Sequence, residues 1–160
     1  MPVINIEKAM VHLRVDEDTG GDVLAKLNSA EDKAAQYLNR FFYATSAAWT
    51  EAISLTLDQL NYELVKYKES CDAANLVADP VSRNMLLSAA ENLKKEAQRN
   101  TKMAMQGIVI NPSIEAAVLL ILGSLYDNRE DETSTTVNEL PKGALWLLDP
   151  YRLDLEIGRA

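Results

Sequence analysis

The sequence is poor in the residues that most often carry out chemistry. It has one cysteine, Cys71, and one histidine, His12, in 160 residues. A single cysteine excludes an internal disulfide framework and is typical of a reducing compartment. A zinc site of the usual Cys and His ligands is excluded for the same reason. Nucleophilic catalysis requires a nucleophile next to a base, and we instead expect Cys71 in a helical core and His12 on a helix surface.

Long apolar runs and clusters of basic residues are also missing. The longest strongly apolar run, 116–122, is far shorter than the roughly 20 residues that a membrane-spanning helix needs. No basic leader followed by an apolar stretch opens the chain, so no secretory signal is expected. The formal net charge is −8, and Lys94 and Lys95 are the only adjacent pair of bases. Tight binding to nucleic acid requires clustered Lys and Arg side chains, so we expect no such binding by this protein.

Two acidic clusters, 16–18 and 130–132, could attract a hard cation. The first begins like an EF-hand loop, with Asp16, Asp18 and Gly21 at the first, third and sixth positions. Leu27 stands at the twelfth position, where calcium coordination requires a bidentate Glu. We therefore expect no metal, no cofactor and no enzymatic activity. A metal-dependent enzyme that uses Asp16 and Asp18 remains a distant alternative, and substitution of those two residues would test it.

The sequence does contain helical periodicity along most of its length. Apolar residues recur every three or four positions over 22–42, which predicts a helix after a shorter one in 5–15. A last short helix is expected in "PKGALWLL", ended by Asp149 and Pro150. Five prolines and six glycines are few, and several lie where helices begin or end. Together these patterns predict an all-α fold, a compact helical bundle.

The segment 113–128 is apolar on nearly every side, and "GIVINPS" before it is a β-like connector. A helix of this kind belongs at the centre of a bundle, buried by its neighbours. Gly123 and Ser124 would let another helix approach closely. On this basis Leu119→Ala should leave a cavity that destabilises the protein by about 2–5 kcal/mol.

Residues 46–106 form a pattern of their own, with two long helices on either side of a short break. Asp79 suits the N-cap of the second helix and Pro80 its first position. Two such helices are expected to fold back as an antiparallel hairpin. In the first helix, apolar residues at alternating spacings of four and three predict the packed face: Ile53, Leu57, Leu60, Leu64, Tyr67, Cys71 and Ala74. In the second helix the expected stripe is Met85, Ala89, Leu93 and Ala97.

Four pieces of the sequence resemble a known family when they are taken in order. A buried helix ends in "LLILGSLYDNRE", a polar loop follows at 130–138, and the chain resumes with "ELPKGALWLLDPYR". This arrangement is similar to the C-terminal half of the head–tail connector (adaptor) proteins of long-tailed phages. The N-terminal "LRVDEDTGGDVLAKLNSAEDKAAQYLNRFF" resembles the other half of that family's pattern. The resemblance covers about 1–45 and 107–153.

The resemblance implies a structural virion protein without chemistry. Such proteins form a homo-oligomeric ring beneath the portal at one capsid vertex, twelve-fold in the virion, after assembly in the bacterial host cytoplasm. The ring extends the DNA channel and offers a docking surface for the neck or tail-completion protein. DNA passes through it without specific binding, which an acidic chain suits because fixed phosphate contacts would resist sliding. The polar loop 130–138 is a candidate for ordering on contact with a partner.

The resemblance also implies the domain organisation and the contact residues. The connector core would be 1–45 plus 107–153, with 46–106 an inserted hairpin and 154–160 a C-terminal tail. The candidates for contact with a neighbouring subunit or partner are Tyr126, Asn128, Arg129, Leu140, Pro141, Tyr151 and Arg152. The same residues could instead fasten the last helix onto the buried one. In that case their contacts would lie within the chain.

A second function from another class fits the same patterns. The chain could be a helical protein-binding module, a regulator or chaperone-like protein, whose hairpin binds a partner helix. Self-association separates the two hypotheses. A connector forms a ring or binds a portal, whereas a binding module remains a monomer or dimer.

Overall fold

The computed structural model describes residues 2–18, 20–127 and 140–154. Within these ranges the chain is all-α, as the sequence predicted. Its helices are α1 (Ile6–Leu13), α2 (Asp22–Leu38), α3 (Ser46–Asn75), α4 (Pro80–Met105), α5 (Pro112–Asp127) and α6 (Lys142–Leu148). Two short strands, β1 (Phe42–Tyr43) and β2 (Ile108–Val109), form a parallel pair, and a 3-10 helix (Asp149–Tyr151) follows α6.

The chain divides into two compact units. The first, which we call the bundle, consists of Met1–Ser46 and Gly107–Asp154. The second, the hairpin, spans Ala47–Gln106 and contains nearly all of α3 and α4. Each unit is described separately below.

The bundle is organised around α5, which packs against α1, α2 and α6. Its buried residues are mainly aliphatic or alanine: Ala9, Val23, Leu27, Ala30, Ala34, Leu38, Ile114, Ala117, Val118, Ile121, Leu122, Ala144 and Leu148. The central place expected for 113–128 is therefore observed. Leu119, however, is only partly buried, and Leu120 is 39% exposed. The loss of stability expected for Leu119→Ala is therefore too large. A loss of that size is expected instead for Leu122→Ala, because Leu122 is 0% exposed.

Specific side chains begin and end the bundle helices. The Asn5 carboxamide accepts a hydrogen bond from the Glu7 backbone N–H at 2.8 Å and caps α1. Arg14 ends α1 in the left-handed conformation, with φ at 56°. Asn39 ends α2 in the same way, with φ at 54°. Asparagine tolerates this conformation better than most residues, which explains a sharp stop in the sequence "YLNRFF".

The chain changes direction where the sequence predicted further helix. The helix expected over 22–42 ends at Leu38, and Phe42 begins β1. The Ile108 N–H donates to the Phe41 carbonyl at 3.0 Å, and the Ile110 N–H donates to the Tyr43 carbonyl at 2.8 Å. Aromatic and β-branched residues favour this extended pairing over further helix. The two ends of the segment 44–107 are thereby held side by side.

The hairpin is antiparallel, as predicted. Asp79 accepts a hydrogen bond from the Ser82 N–H at 2.8 Å and caps α4, whose first residue is Pro80. Near the open end the Trp49 indole donates to the Ala104 carbonyl at 2.9 Å. Further along, the Lys94 ammonium lies 4.4 Å from the centroid of the Tyr67 ring. These two contacts show which residues of α3 and α4 lie opposite each other along the length of the hairpin.

The predicted packed faces of the hairpin are only partly right. On α3, Leu60 and Tyr67 are half-buried toward α4, but Leu57 and Leu64 are exposed. On α4 the predicted stripe is mostly wrong, because Met85 and Leu93 are 70% and 65% exposed and only Ala97 is half-buried. The less exposed face of α4 consists of Arg83, Leu87, Ala90, Lys94, Ala97 and Thr101. It mixes charged with apolar residues, so apolar spacing alone could not find it.

Candidate assembly surface

The C-terminal segment of the bundle is fastened to α2 through Tyr37. The Tyr37 hydroxyl donates a hydrogen bond to the Asp149 carboxylate, and this bond raises the pKa of Tyr37 above its ordinary value. The Arg152 guanidinium carbon lies 4.9 Å from the centroid of the same ring. A cation placed over an aromatic face is attracted by the ring quadrupole. One tyrosine thus contacts residues on both sides of Pro150.

Hydrogen bonds to backbone carbonyls complete this attachment at the end of α2. The Asn39 carboxamide donates to the Leu153 carbonyl at 2.8 Å, and the Leu153 N–H donates to the Leu38 carbonyl at 3.0 Å. The Arg40 guanidinium donates to the carbonyls of Tyr151 and Gly107, at 3.4 and 3.1 Å. Burial lowers the pKa of Arg40. The sequence "YLNR" at 37–40 therefore holds "DPYRL" at 149–153.

The described contact candidates have neighbours within the bundle. Tyr126, Leu140 and Tyr151 are partly buried against the apolar core. Pro141 immediately precedes α6, and Arg152 lies over Tyr37. The remaining candidates, Asn128 and Arg129, and the loop 130–138 lie outside the described residues. Contacts within the chain thus occupy part of the surface of each described candidate, and an outward-facing part of each remains accessible.

Tyr126 borders a polar cavity of about 490 Å³ beside the N-terminus of α2. The Lys26 ammonium lies 5.6 Å from the Tyr126 ring centroid and pairs with Asp22. The Asp18 carboxylate, in the loop that begins like an EF-hand, accepts hydrogen bonds from the backbone N–H groups of Val23 and Leu24. Asp18 therefore serves as a helix cap in this structure. Across residues 2–18, 20–127 and 140–154, no group of three or more His, Cys, Asp or Glu residues is arranged to hold a metal ion.

Sequence reasoning missed Trp146, the most exposed aromatic side chain of the described bundle. It lies on α6 and is 78% exposed, whereas Ala144 and Leu148 on the same helix are buried. One turn before it, Gly143 lies against Leu120, whose Cδ1 would be 3.4 Å from a Cβ at that position. Tryptophan is enriched among the residues that dominate protein interfaces. The sequence did contain an indication. Trp146 lies two residues after Ala144 and two before Leu148, and in a helix this spacing places it on the side opposite those buried residues.

The hairpin carries a shallow groove and many exposed apolar side chains. The groove, of about 240 Å³, runs between α3 and α4 and is lined by Thr56, Gln59, Leu60, Glu63, Leu93, Glu96, Ala97, Asn100 and Thr101. In addition to Leu93, large exposed apolar residues occur on both helices and at the turn: Leu55, Leu57, Tyr62, Leu64, Val65, Leu76, Val81, Met85, Leu86 and Met105. These side chains are candidates for contact with a partner.

A polar cluster links the two hairpin helices near their middle. The Tyr67 hydroxyl is hydrogen bonded to Glu91, which raises the pKa of Tyr67 to about 12 and lowers that of Glu91. Cys71 is half-buried beside this cluster and is a free thiol. The core position expected for Cys71 is therefore not reached, because the side chain is only half-buried and lies next to polar groups.

Comparison of the chain with protein-family models, with curated proteins and with solved structures gives no match. In the described ranges, no helix combines the length and the apolar character needed to cross a membrane.

Proposed function

We propose that this chain is a head–tail connector subunit of a long-tailed phage. Copies of it form a ring, twelve-fold in the virion, beneath the portal at the head–tail junction. The ring extends the DNA channel and presents a surface to the neck or tail-completion protein. Assembly takes place in the cytoplasm of the bacterial host.

One observation supports this proposal most strongly. The two segments that resemble the connector family are separated by the whole hairpin in sequence, yet they belong to one compact unit. Their most characteristic sequences also contact each other directly, through Tyr37 with Asp149, Asn39 with Leu153 and Arg40 with Tyr151. Such mutual contacts are expected when both segments belong to one functional fold.

The exposed Trp146 offers an assembly contact that can be tested. We expect Trp146→Ala to weaken self-association, or binding to the portal protein of the same phage, by at least about tenfold, as truncation of an interface tryptophan commonly does. The substitution should change the stability of the bundle by only about 0.5 kcal/mol, because the side chain is exposed. Sedimentation velocity over a concentration series, with negative-stain images of the largest species, measures the assembly.

Val11→Ala is the matched control for Trp146→Ala. Val11 is 77% exposed on α1 of the same unit, and its removal should leave assembly unchanged. Equal assembly by the Trp146→Ala variant and the native protein would remove Trp146 from the interface. Failure of the native protein both to form rings and to bind the portal would reject the connector function itself.

Arg129→Ala tests the family resemblance at a position outside the described residues. If Arg129 contacts a neighbouring subunit, the substitution should reduce ring formation or portal binding while thermal unfolding stays unchanged. Equal losses of assembly and of thermal stability would indicate a role within the chain. Circular dichroism on the purified variant, beside the assembly measurement, separates the two results.

The groove on the hairpin favours the alternative function, a module that binds a partner helix. Its apolar and polar lining residues come from both α3 and α4, an arrangement suited to an amphipathic helix. This function predicts a monomer or dimer without affinity for a portal. The portal-binding experiment therefore distinguishes the two functions.

A further inference from the structure

We propose that the groove between α3 and α4 binds a basic segment of a partner protein by taking up one of its arginine side chains. The aliphatic part of the arginine would lie on the apolar wall of the groove, and its guanidinium would contact Glu63 and Glu96. The groove lies within the hairpin, since all of its lining residues belong to that unit. The proposal goes beyond the connector function, because it gives the partner of the hairpin a definite chemistry.

Both helices contribute apolar side chains to the groove. Leu60 of α3 is half-buried, and Leu93 of α4 is 65% exposed, so each helix supplies part of an apolar wall. Ala97, one turn after Leu93, adds only a methyl group to this wall. The methylene stem of an arginine or lysine packs along apolar surface of this kind while its charged end stays near water.

The charged side chains that line the groove are both acidic. Glu63 is half-buried on α3 and Glu96 is exposed on α4, and no lysine or arginine lines the groove. Arg99, three positions after Glu96, lies outside the groove and interacts elsewhere in the chain. Among the described residues, the ion pairs are formed by other carboxylates. The groove therefore presents negative charge that no ion pair within the described chain neutralises.

The lysines on the turn side of the groove have other partners. Lys66 and Lys94 line an adjoining cavity of about 30 Å³. Lys66 pairs with Glu69 at 3.8 Å, and Lys94 pairs with Glu91 at 3.4 Å. Lys94 also lies over the Tyr67 ring. These two cations are therefore directed to other groups and leave the groove acidic.

The hydrogen bonds of the groove leave an excess of acceptors. The Thr56 and Thr101 hydroxyls donate to carbonyls one turn earlier in their own helices, at 2.6 and 2.8 Å. The Gln59 amide donates to the Glu63 carboxylate at 2.6 Å. A hydroxyl has one hydrogen to donate but two lone pairs, and an ionised carboxylate only accepts. Further donors in the groove come only from the side-chain amides of Gln59 and Asn100.

A guanidinium is the side-chain group that matches this lining. It carries five N–H donors and no acceptor, and it is more weakly hydrated than an ammonium. Its hydrogen bonds to carboxylates are charge-assisted and are stronger than those between neutral groups. An acidic occupant would instead face Glu63 and Glu96 and be repelled by both. Charge, donor count and the apolar wall thus all favour arginine.

Peptide binding to the full chain tests the proposal. The probe is a fluorescein-labelled peptide of about 15 residues, long enough for a helix to form on binding. It is made of alanine, leucine and arginine, with leucines and arginines three and four positions apart on one face. Its control has citrulline in place of every arginine, which keeps the size but removes the charge. Fluorescence anisotropy should show at least about tenfold tighter binding of the arginine peptide.

Variants of the chain locate the binding site. Glu63→Gln and Glu96→Gln should each weaken binding of the arginine peptide by about threefold, as expected for partly exposed ion pairs, and together by about tenfold. Asp58→Asn is the matched control. It removes the same charge from an exposed position of α3 outside the groove, so binding should stay unchanged. Circular dichroism verifies that each variant retains its helices.

Leu93→Arg is a further test, because it places a guanidinium beside the groove within the chain itself. Leu93 is exposed, so the fold should tolerate the substitution. The new side chain lies one turn before Glu96 and should compete with the peptide. We expect it to weaken binding of the arginine peptide by at least about tenfold.

Four results would overturn the proposal. The first is equal binding of the arginine and citrulline peptides, and the second is no binding of the arginine peptide at about 1 mM. The third is an equal loss of binding in Asp58→Asn and Glu96→Gln, which would indicate general attraction to an acidic chain. The fourth is self-association of the native chain that Leu93→Arg abolishes, which would make a second copy the occupant. Portal binding is measured separately, so the first three results leave the connector function untouched, and the fourth agrees with it.

Discussion

Leu122→Ala is expected to lower the free energy of unfolding of the bundle by about 2–5 kcal/mol. Leu122 is 0% exposed on the central helix α5, where helices on several sides prevent the site from collapsing around the missing atoms. The lost transfer free energy and the residual cavity both destabilise the folded state. Hydrogen exchange of the α2 and α5 amides measures the effect in this unit alone.

Leu120→Ala on the same helix is the control for Leu122→Ala. Leu120 is 39% exposed, so its truncation should lower the free energy of unfolding by about 1 kcal/mol or less. Similar losses for the two variants would contradict the orientation of α5 described above. Exchange in α3 and α4 should be unchanged in both, because those helices belong to the other unit.

Glu31→Ala is expected to release the N-terminal segment from the bundle. The buried Glu31 carboxylate accepts hydrogen bonds from the backbone N–H groups of Val3 and Ile4, at 2.9 and 2.8 Å. Removal of the carboxylate leaves these donors without their partner, and one buried unsatisfied donor costs about 1–3 kcal/mol. We expect a loss of about that size, measured by urea unfolding, together with faster exchange of the Val3 and Ile4 amides.

The same residue gives stability a predictable dependence on pH. Burial raises the pKa of Glu31 above its ordinary value of 4.5, so the folded state holds this proton more tightly than the unfolded state. The resulting stabilisation is complete below pH 4.5 and is lost as the pH rises through the folded-state pKa. Glu31→Gln keeps the shape but has no proton to lose. The difference in free energy of unfolding between the native protein and Glu31→Gln should therefore change as the pH rises from 4.5 through the folded-state pKa of Glu31. A difference that stays constant with pH would contradict the raised pKa.

Much of the fold could be predicted from local signals in the sequence. Asp79 and Pro80 marked the start of α4, and the apolar segment at 113–128 predicted the central helix. These signals act within a few residues, so no knowledge of the partner elements is required. The early end of α2 was missed because Asn39 stops the helix through its left-handed backbone, while the apolar pattern continues to Phe41 and Phe42.

The faces of the hairpin were harder to predict because apolar residues surround both helices. On α4, Met85 and Leu93 have helical spacing yet are exposed, whereas Lys94 lies over Tyr67. Periodicity finds a buried face only when the other faces are polar. Trp146 was missed for a related reason, since a single exposed aromatic residue produces no period.

The pairing of β1 with β2 has a consequence for how the hairpin is joined to the bundle. Paired strands lie about 4.8 Å apart, so the chain leaves and re-enters the bundle at nearly the same point. An insertion whose own ends meet can be lengthened, shortened or exchanged at such a point with little entropic effect on the host. A hairpin of a different length could therefore be joined to the same paired strands without a change in the bundle.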